Sequence, residues 1–367
     1  MSIEKDIKYW IAISKYSKIG PIRFKKLIKY FKTAENIWKT DIEKLVKANL
    51  EKNIAKDFAE KRNQINPDME MEQILKEKIK VLTIQDDDYP KLLKKIKNPP
   101  FLLYYKGKLD GLKKPTLAIV GTRKASQYGK QSVFDIAKKI AANNITIISG
   151  MALGIDTIAH KTAVETGGNT IAVLGSGLDQ KNIYPTANQN LANEIILSHG
   201  AIISEYPVGM PAFHYNFPMR NRIISGLSLG TLVIESPDKG GSLITAHYAK
   251  EQKRKIFALP GNIYDKNSSG THKLISSGSA QIITKYEDII NALNLDRIPC
   301  HKKIKNKIPE TKEEKILLKY LETRPIHINK LVKMSGLNSQ IVCSTLTLME
   351  INGRVKNLGE MNYALIY

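Results

Sequence analysis

Between residues 116 and 284 the chain repeats one pattern: a short apolar run, a glycine or polar turn, and a helical segment. The runs are apolar along their whole length, which is typical of parallel strands that are buried on both faces. Strands that alternate with helices build a parallel sheet with helices on both sides. The pattern therefore predicts an α/β fold: an extended Rossmann-like, doubly wound, mostly parallel sheet.

The carboxyl ends of these strands define where a ligand is expected. The predicted strands are Leu117–Gly121, Ile145–Gly150, Thr170–Leu174, Ala201–Glu205, Thr231–Glu235, Ile256–Leu259 and Gln281–Thr284. Helices are predicted at about 129–142, 155–166, 188–198, 221–229, 243–253 and 271–276. Open α/β sheets bind ligands at the carboxyl ends of their strands. The turns at 121–124, 149–154, 175–177 and 240–242 are therefore predicted to share one rim.

Residues 213–249 carry the densest set of candidate functional side chains on this rim. Phe213 and Phe217 lie in a proline-containing stretch, where no regular helix is expected yet. Three donor-rich side chains follow: Arg220, Asn221 and Arg222. The next strand then runs through Lys239, Gly240, Gly241 and Ser242 into a helix. Such a helix start presents free N–H groups and a positive dipole end to an anion, which predicts a pocket for nucleic-acid phosphate.

The turn after the first strand indicates a phosphate-containing ligand that is not a dinucleotide cofactor. Its sequence is Gly121-Thr122-Arg123-Lys124, which lacks the Gly-x-Gly-x-x-Gly fingerprint. A Walker lysine is absent from the sequence as well. Arginine in this turn suits a substrate phosphate, so the sequence predicts no cofactor.

Rings beside guanidinium groups favour single-stranded nucleic acid, whose bases are free to stack for roughly 1–3 kcal/mol each. An alternative stays open for each group. The three arginines could pair structurally with Glu205 and Glu235, which end two strands, and the two phenylalanines could belong to the core.

No enzymatic constellation is found. Asp156 and His160 share one predicted helix face, but no nucleophile or metal partner accompanies them. The histidines at 214, 247 and 272 are isolated, and Asp86-Asp87-Asp88 is interpreted as a solvated turn. We therefore expect no metal and no catalytic residues.

Charge and cysteine content indicate the class of partner and the compartment. The formal net charge is +22 and the pI about 9.6, which favours a polyanion. Residues 115–300 carry the smallest basic excess, 18 side chains against 13 acidic ones, as a large buried core requires. Cys300 and Cys343 cannot build a disulfide framework, and no signal peptide or apolar run of 18 residues is present. We expect a cytoplasmic protein with no membrane contact.

Smaller predicted domains flank the core, residues 76–294. Residues 1–75 read as small helices with a Gly20-Pro21 turn, either a helix-hairpin-helix unit that holds DNA or a helical cap on the core. Residues 295–310 are predicted as a basic linker. Residues 311–367 are predicted as a winged helix, with helices at Lys312–Leu321, His327–Met334 and Ser339–Ile351 and a wing hairpin at Arg354–Leu358 and Tyr363–Tyr367. Residues 337–353, which include the last of these helices, contain no Lys or Arg. Reading of a DNA groove by this helix is therefore disfavoured, and a contact with another protein is allowed.

Several of these stretches together resemble the DNA-processing protein A family, also called DprA or Smf. The matching segments run from about residue 79 to residue 284: YPKLLKKIKNPPFLLYYKG, AIVGTRKASQYG, SGMALGIDTIAHKTAVETGGNTIAVLGSGLDQ, YPTANQNL, SEYPVGMPAFHYNFPMRNRIISGLS and ESPDKGGSLITAHYAKEQKRKIFALPGN with GTHKLISSGSA. The resemblance implies a protein that binds single-stranded DNA, forms a homodimer and loads RecA recombinase on the strand during natural transformation. Because the sequence shows no enzymatic constellation, we expect it to be non-enzymatic. The rival hypothesis is a Rossmann-type enzyme or sensor for a small nucleotide-derived ligand.

Carried over by position, the resemblance implies a set of DNA-binding residues: Gly121, Arg123, Lys124, Ser149, Gly150, Phe213, Phe217, Arg220, Asn221, Arg222, Lys239, Gly240, Gly241 and Ser242. Two departures from the family pattern stand out. Residues 239–242 carry an extra glycine, which keeps the backbone donors, and residues 209–211 alter a proline-rich stretch.

Overall fold

The structure is a computed structural model that describes residues 3–295, 311–321, 325–351, 354–357, 359 and 361–365. The chain divides into two compact units, Met1–His301 and Lys302–Tyr367. The predicted linker falls almost wholly on residues 296–310, outside the described residues, as does Cys300. Within the described part, no helix has both the length and the apolar character needed to cross a bilayer.

The first unit is organised around one nine-stranded sheet. Its strands are β1 Lys80–Thr83, β2 Leu102–Gly107, β3 Thr116–Val120, β4 Thr146–Ser149, β5 Thr170–Val173, β6 Ala201–Ser204, β7 Gly230–Val233, β8 Lys255–Ala258 and β9 Gln281–Ile282. The strand order is β1-β2-β6-β5-β4-β3-β7-β8-β9. Strands β3 to β9 pair in parallel, whereas β1 and β2 form an antiparallel edge beside β6. The predicted mostly parallel, doubly wound sheet is confirmed.

Helices of this unit cover both faces of the sheet. They are α1 Ile3–Ser14, α2 Pro21–Phe31, α3 Ala34–Lys39, α4 Ile42–Lys47, α5 Lys52–Lys61, α6 Pro67–Lys76, α7 Lys91–Lys94, α8 Gln127–Ala142, α9 Ile155–Glu165, α10 Gln189–Leu197, α11 Asn216–Gly226, α12 Gly241–Glu251, α13 Ser269–Ser276 and α14 Tyr286–Ala292. Successive β3 residues alternate between two cores, because side chains along a strand point to opposite faces. Leu117 and Ile119 pack with α8 and α9, and Ala118 and Val120 pack with α11 and α12.

The N-terminal helices share a core with the sheet. Phe24 of α2 stacks on Phe101, just before β2, with ring centroids 4.0 Å apart, and Trp10 of α1 lies 4.6 Å from Phe24. The same core continues into Ile202 of β6. Burial of these rings stabilises the contact between the helices and the sheet.

One predicted helix starts in a different place. The helix expected at 221–229 is α11, Asn216–Gly226, and it already includes Phe217 and Pro218. The expectation that this stretch is not helical is therefore wrong. Pro218 falls in the first turn, where backbone N–H groups have no intrahelical acceptor, so the missing N–H has little cost.

The second unit has the elements of a winged helix, as predicted. Its described elements are α15 Lys312–Leu318, β10 Ile326–His327, α16 Ile328–Ser335, α17 Ser339–Ile351, β11 Val355–Asn357 and β12 Asn362–Leu365. β12 pairs antiparallel with both β10 and β11. Val342, Leu346 and Met349 of α17 are fully buried, so this face of the helix belongs to the core of the unit.

The shared aromatic core predicts that the N-terminal helices and the sheet unfold together. Replacing Phe24 by Ala leaves a cavity in this core, and we expect the free energy of unfolding to fall by about 3–5 kcal/mol. Both tryptophans, Trp10 and Trp38, lie in the N-terminal helices. Denaturation followed by tryptophan fluorescence and by circular dichroism should therefore give the same lowered midpoint.

A matched control is Tyr30→Ala, which removes a ring of α2 that is 52% exposed and should leave the midpoint nearly unchanged. A fluorescence midpoint that falls while the circular dichroism midpoint stays fixed would contradict the shared core.

Candidate functional site

A cleft opens where the strand order of the sheet reverses. From β3 the chain continues through β4, β5 and β6 on one side, whereas β7, β8 and β9 lie on the other. The carboxyl ends of β3 and β7 diverge into different connections at this point, which is the usual ligand position in such sheets. The cleft measures about 530 Å³.

Most of the predicted binding residues line this cleft. Those that do are Gly121, Arg123, Lys124, Phe217, Arg220, Asn221, Gly240, Gly241 and Ser242. The structure thus brings together three segments that are far apart in sequence: the turn after β3, the first half of α11 and the start of α12.

The turn after β3 is held in place from two sides. The Thr122 N–H donates to the Glu235 carbonyl oxygen at 2.8 Å, and the Ile155 N–H donates to the Thr122 carbonyl oxygen at 3.2 Å. Gly121 has no room for a side chain, because a Cβ there would lie 2.5 Å from Cγ1 of Ile155. The fixed turn projects the exposed side chains of Arg123 and Lys124 at the mouth of the cleft.

The start of α12 supplies backbone donors. Gly240 caps this helix without a side-chain hydrogen bond to the first turn. Ser242 is occupied otherwise, because its hydroxyl donates to the Ser236 hydroxyl at 2.8 Å. The Leu243 N–H donates to the Gly240 carbonyl oxygen at 3.1 Å. The N–H groups of Gly241 and Ser242 stay available to an anion, and the helix dipole adds a positive potential there.

Helix α11 places a half-buried ring beside these donors. The Phe217 ring packs against Gly175, where a Cβ would lie 3.0 Å from Cδ1 of Phe217, and against Tyr184 at 5.6 Å between centroids. The Arg123 guanidinium lies 5.8 Å from the Phe217 centroid. Asn221 links this helix to the next, since its side-chain N–H donates to the Gly241 carbonyl oxygen at 3.3 Å.

Arg220 lies at the floor of the cleft and is only 4% exposed. Its Nη1 donates to the Gly150 carbonyl oxygen at 2.7 Å and to the Val173 carbonyl oxygen. Nε has no acceptor among the described residues. Burial lowers the pKa of Arg220 to about 10, so the side chain stays a cation at neutral pH.

A buried carboxyl group faces this arginine. Asp156 accepts hydrogen bonds from the N–H groups of Gly150 at 3.1 Å and Ala152 at 3.4 Å, and burial raises its pKa to about 6. A Cβ at position 150 would lie 2.8 Å from Nη2 of Arg220 and 2.9 Å from Oδ2 of Asp156. Glycine at 150 is therefore what allows the two charged groups to converge.

The structure corrects the placement of Arg222. This residue lies on the opposite side of α11 from Arg220, because two helical steps rotate a side chain by about 200°. Its guanidinium makes two hydrogen bonds with the Glu205 carboxylate, at 2.7 and 2.6 Å, and it is 6% exposed. Arg222 does not line the cleft, and the alternative of a structural ion pair with Glu205 applies to it.

Among the described residues, Glu235 has Ser126 and no arginine as its side-chain partner. Its carboxylate accepts from the Ser126 N–H at 3.0 Å and from the Ser126 hydroxyl, at the start of α8. A Cβ at Gly129 would lie 2.3 Å from Oε2 of Glu235, so the carboxylate lies directly against the first turn. The contact stabilises the helix start, where a negative charge is favoured.

Four further predicted residues lie outside the cleft lining. Ser149 is buried and donates to the Ile119 carbonyl oxygen at 2.6 Å, and Gly150 lies beneath Arg220. Phe213 is 41% exposed and stacks on Tyr215 with centroids 5.3 Å apart. Lys239 is exposed next to Gly240. Phe213 and Lys239 are free to contact a ligand that extends beyond the cleft.

Sequence reasoning missed Tyr184 and Asn267. Tyr184 packs on Phe217, and its only sequence signal is an aromatic in the loop that follows β5. Asn267 lines the cleft and donates from its side chain to the Lys124 carbonyl oxygen at 3.0 Å. No pattern predicts this contact, because it joins residues that are distant in sequence.

Of the remaining candidates, His214 lines the cleft, whereas His160 and Asp86 have structural partners. His160 is fully buried, its Nδ1 lies 2.7 Å from the Thr170 hydroxyl, and burial lowers its pKa to about 3, so it is neutral at neutral pH. Asp86 accepts from the Thr83 N–H at 2.7 Å, as a turn residue does. Among the residues that the structure describes, no group of three or more His, Cys, Asp or Glu could hold a metal ion.

Fold and cleft together define a class: a doubly wound α/β protein with a cleft lined by backbone donors and cationic side chains at the switch point, followed by a winged helix. Residues 80–294 match the family model described as DNA recombination-mediator protein A, and residues 305–361 match the DprA winged helix domain. The chain belongs to the DprA/Smf family of DNA-processing proteins. The resemblance predicted from the sequence motifs is confirmed.

Individual relatives agree with this assignment. Protein Smf of Synechocystis sp. is 40% identical over 76% of this chain and 70% of the relative. The crystal structure of DNA processing protein A from Streptococcus pneumoniae is 36% identical, with a TM-score of 0.66 over 77% of this chain and 97% of that chain. The structure of the Helicobacter pylori protein, reported for its single-stranded DNA binding mode, is 34% identical, with a TM-score of 0.54 over 59% of this chain and 96% of that chain.

Asp156 and His160 predict opposite contributions to the pH dependence of stability. Because the pKa of Asp156 is raised from about 4 to about 6 on folding, its contribution to stability falls as the pH rises through that window. Because the pKa of His160 is lowered from 6.5 to about 3, its contribution rises with pH over the same window. The two contributions offset each other in the unaltered protein.

Asp156→Asn should therefore make the free energy of unfolding rise more steeply between about pH 4 and pH 6, by up to about 3 kcal/mol across the window. Urea denaturation at several pH values measures this. His160→Gln is the complementary variant and should flatten the rise. Curves for Asp156→Asn that run parallel to the wild type would show that Asp156 is ionised in this range.

Proposed function

We propose that this protein is a non-enzymatic recombination mediator that binds single-stranded DNA in the cleft at the switch point. One observation carries the proposal: the cleft combines backbone donors, exposed cations and a half-buried aromatic ring in one place. Support comes from the family and from the Helicobacter pylori relative, whose structure concerns binding of single-stranded DNA.

Phosphate groups would be held by backbone N–H groups at the start of α12 and by Arg123 and Lys124. Buried Arg220 acts from the floor, where its charge is weakly screened and raises the potential throughout the cleft. The edge of the Phe217 ring offers a contact for a base. Asn221 keeps α11 and α12 at a fixed separation, which preserves the geometry of the donors.

The predicted residues outside the cleft lining take supporting roles. Gly150 and Ser149 support Arg220 and the end of β4, and the Arg222–Glu205 ion pair fixes the far side of α11. Phe213 and Lys239 are exposed, and we assign them to contacts with nucleotides that leave the cleft.

Binding, and not turnover, is the activity that the residues favour. Of the described residues that line the cleft, Asp156 is the one carboxylate, and its oxygen is engaged by two backbone N–H groups. The raised pKa of this buried group is also what a general base requires. A sensor or enzyme for a small nucleotide-derived ligand is therefore the second candidate, and the volume of about 530 Å³ suits a ligand of that size.

The wider role follows from the family. We propose that the protein acts in the cytoplasm, forms a homodimer, protects incoming single strands and loads RecA on them during natural transformation. A recombination mediator needs a partner surface besides its DNA site, and the exposed apolar residues Ile341 and Leu348 of the winged-helix unit suit a protein contact.

The cleft proposal predicts preferential and salt-sensitive binding of single strands. In fluorescence anisotropy we expect tighter binding of a labelled single strand than of the matching duplex. Arg123→Ala should weaken it and reduce the slope of log affinity against log salt by about 0.7, the value for one phosphate contact on a single strand. Lys138→Ala, which removes an exposed lysine of α8 outside the cleft, is the matched control.

If the protein binds the single strand and the duplex with equal affinity, and Arg123→Ala changes neither affinity, DNA binding belongs to the basic segments outside the cleft. Isothermal titration with mononucleotides then separates the second candidate: binding abolished by Arg123→Ala, together with turnover abolished by Asp156→Asn, would favour the enzyme.

The mediator role predicts an effect on RecA. On a single strand covered by single-strand-binding protein, addition of the wild type should shorten the lag before RecA hydrolyses ATP. Arg123→Ala should restore the lag in proportion to its lost DNA affinity, whereas Lys138→Ala should not. Sedimentation should show twice the chain mass of 41.2 kDa. A lag that is unchanged by the wild type would exclude RecA loading, and a single chain mass would exclude the homodimer.

A further inference from the structure

The loop that follows β8 exposes two apolar side chains on the same rim as the cleft. Residues 260–265 leave the carboxyl end of β8, the neighbour of β7 in the sheet. Ile263 is 76% exposed and Tyr264 is 89% exposed, the highest value for a large apolar side chain in the described residues. Tyr128, in the first turn of α8, is 49% exposed. These three residues are called the Tyr264 surface below.

Local hydrogen bonds give this loop a defined conformation. The Tyr264 N–H donates to Oδ1 of Asn262 at 3.0 Å, and the Ser268 N–H donates to the Asp265 carbonyl oxygen at 2.9 Å. Gly261 packs closely, because a Cβ there would lie 2.1 Å from Oγ of Ser268. A side chain on a fixed loop loses little conformational entropy when it contacts a ligand.

The loop is joined to the turn that carries the exposed cations of the cleft. The Tyr128 hydroxyl donates to the Pro260 carbonyl oxygen at 2.7 Å. On the other side of the loop, the Asn267 side chain donates to the Lys124 carbonyl oxygen at 3.0 Å, and Asn267 itself lines the cleft. The Tyr264 surface thus begins where the cleft ends.

Charge at this junction is suited to a polyanion. Lys124 and Lys266 are exposed, and neither takes part in an ion pair among the described residues. The nearest acid in sequence, Asp265, already accepts from the Asn267 N–H at 2.8 Å. An aromatic ring flanked by free lysines is the combination that binds single-stranded nucleic acid.

We propose that the Tyr264 surface is a second base-contacting site, on which single-stranded DNA stacks after it leaves the cleft past Lys124. This inference rests on the proposed DNA binding by the cleft. A protein partner is the weaker explanation, because one ring and two smaller contacts make a patch well below the area of a stable protein interface.

Oligonucleotide length separates the two sites. A strand of about 4 nucleotides occupies the cleft alone, whereas one of about 16 nucleotides also reaches the loop. In anisotropy measurements, Tyr264→Ala should weaken binding of the longer strand about tenfold, the loss of one stacked base. Binding of the shorter strand should be unchanged. Tyr264→Phe keeps the ring and should bind like the wild type.

Tyr30→Ala, which removes a ring 52% exposed on α2, is the control for loss of an exposed aromatic. Photocross-linking with 5-iodouracil near one end of the longer strand should label Tyr264. If Tyr264→Ala binds both lengths like the wild type, or weakens both equally, the second site is wrong. Weaker binding of both strand lengths by Arg123→Ala confirms that the cleft itself binds, so failure of this inference is distinguishable from failure of the proposed function.

If Tyr264→Ala leaves DNA binding unchanged but lowers the mass measured in sedimentation, the Tyr264 surface is a contact between two copies of the chain. That result would also overturn the inference.

Discussion

The cleft depends on one buried cation. Arg220 extends from α11 to the ends of β4 and β5, where carbonyl oxygens of Gly150 and Val173 accept its N–H groups. A buried guanidinium is costly to desolvate, and carbonyl dipoles together with a nearby carboxylate offset that cost only in part. Nε of Arg220 is left without an acceptor among the described residues, so the protein satisfies this guanidinium only in part.

This arrangement places strict demands on the backbone around it. Arg220 reaches the strand ends only because position 150 lacks a side chain, and the first turn can approach α9 only because position 121 lacks one. Gly154, which precedes α9, adopts a φ of +81°, and a Cβ there would lie 2.4 Å from the Thr122 carbonyl oxygen. The glycines that sequence reasoning assigned to phosphate contact thus serve packing. Substitution at these positions would displace the helices before it affected a ligand.

Much of the sheet was predictable, because strands buried on both faces leave an apolar run in the sequence that few other structures produce. The start of α11 could not be predicted, because Pro218 indicates a break in a helix unless its position in the first turn is known. That error also hid the difference between Arg220 and Arg222, which a helix from residue 216 would have placed on opposite sides. The Asn267–Lys124 contact joins residues 143 positions apart and leaves no local pattern.

The kinds of donor in the cleft bear on what it discriminates. Backbone N–H groups and guanidinium groups contact phosphate, which positions a strand but carries no sequence information. A phenylalanine ring contacts any base, because every base has a π-face. Two described side chains that line the cleft, Asn221 and Asn267, carry the amide donor and acceptor that can read a base edge, and both already donate to backbone, to the Gly241 and Lys124 carbonyl oxygens. For the proposed function this is an advantage, because a mediator must accept strands of any sequence, and affinity then comes from charge, stacking and the length of strand engaged.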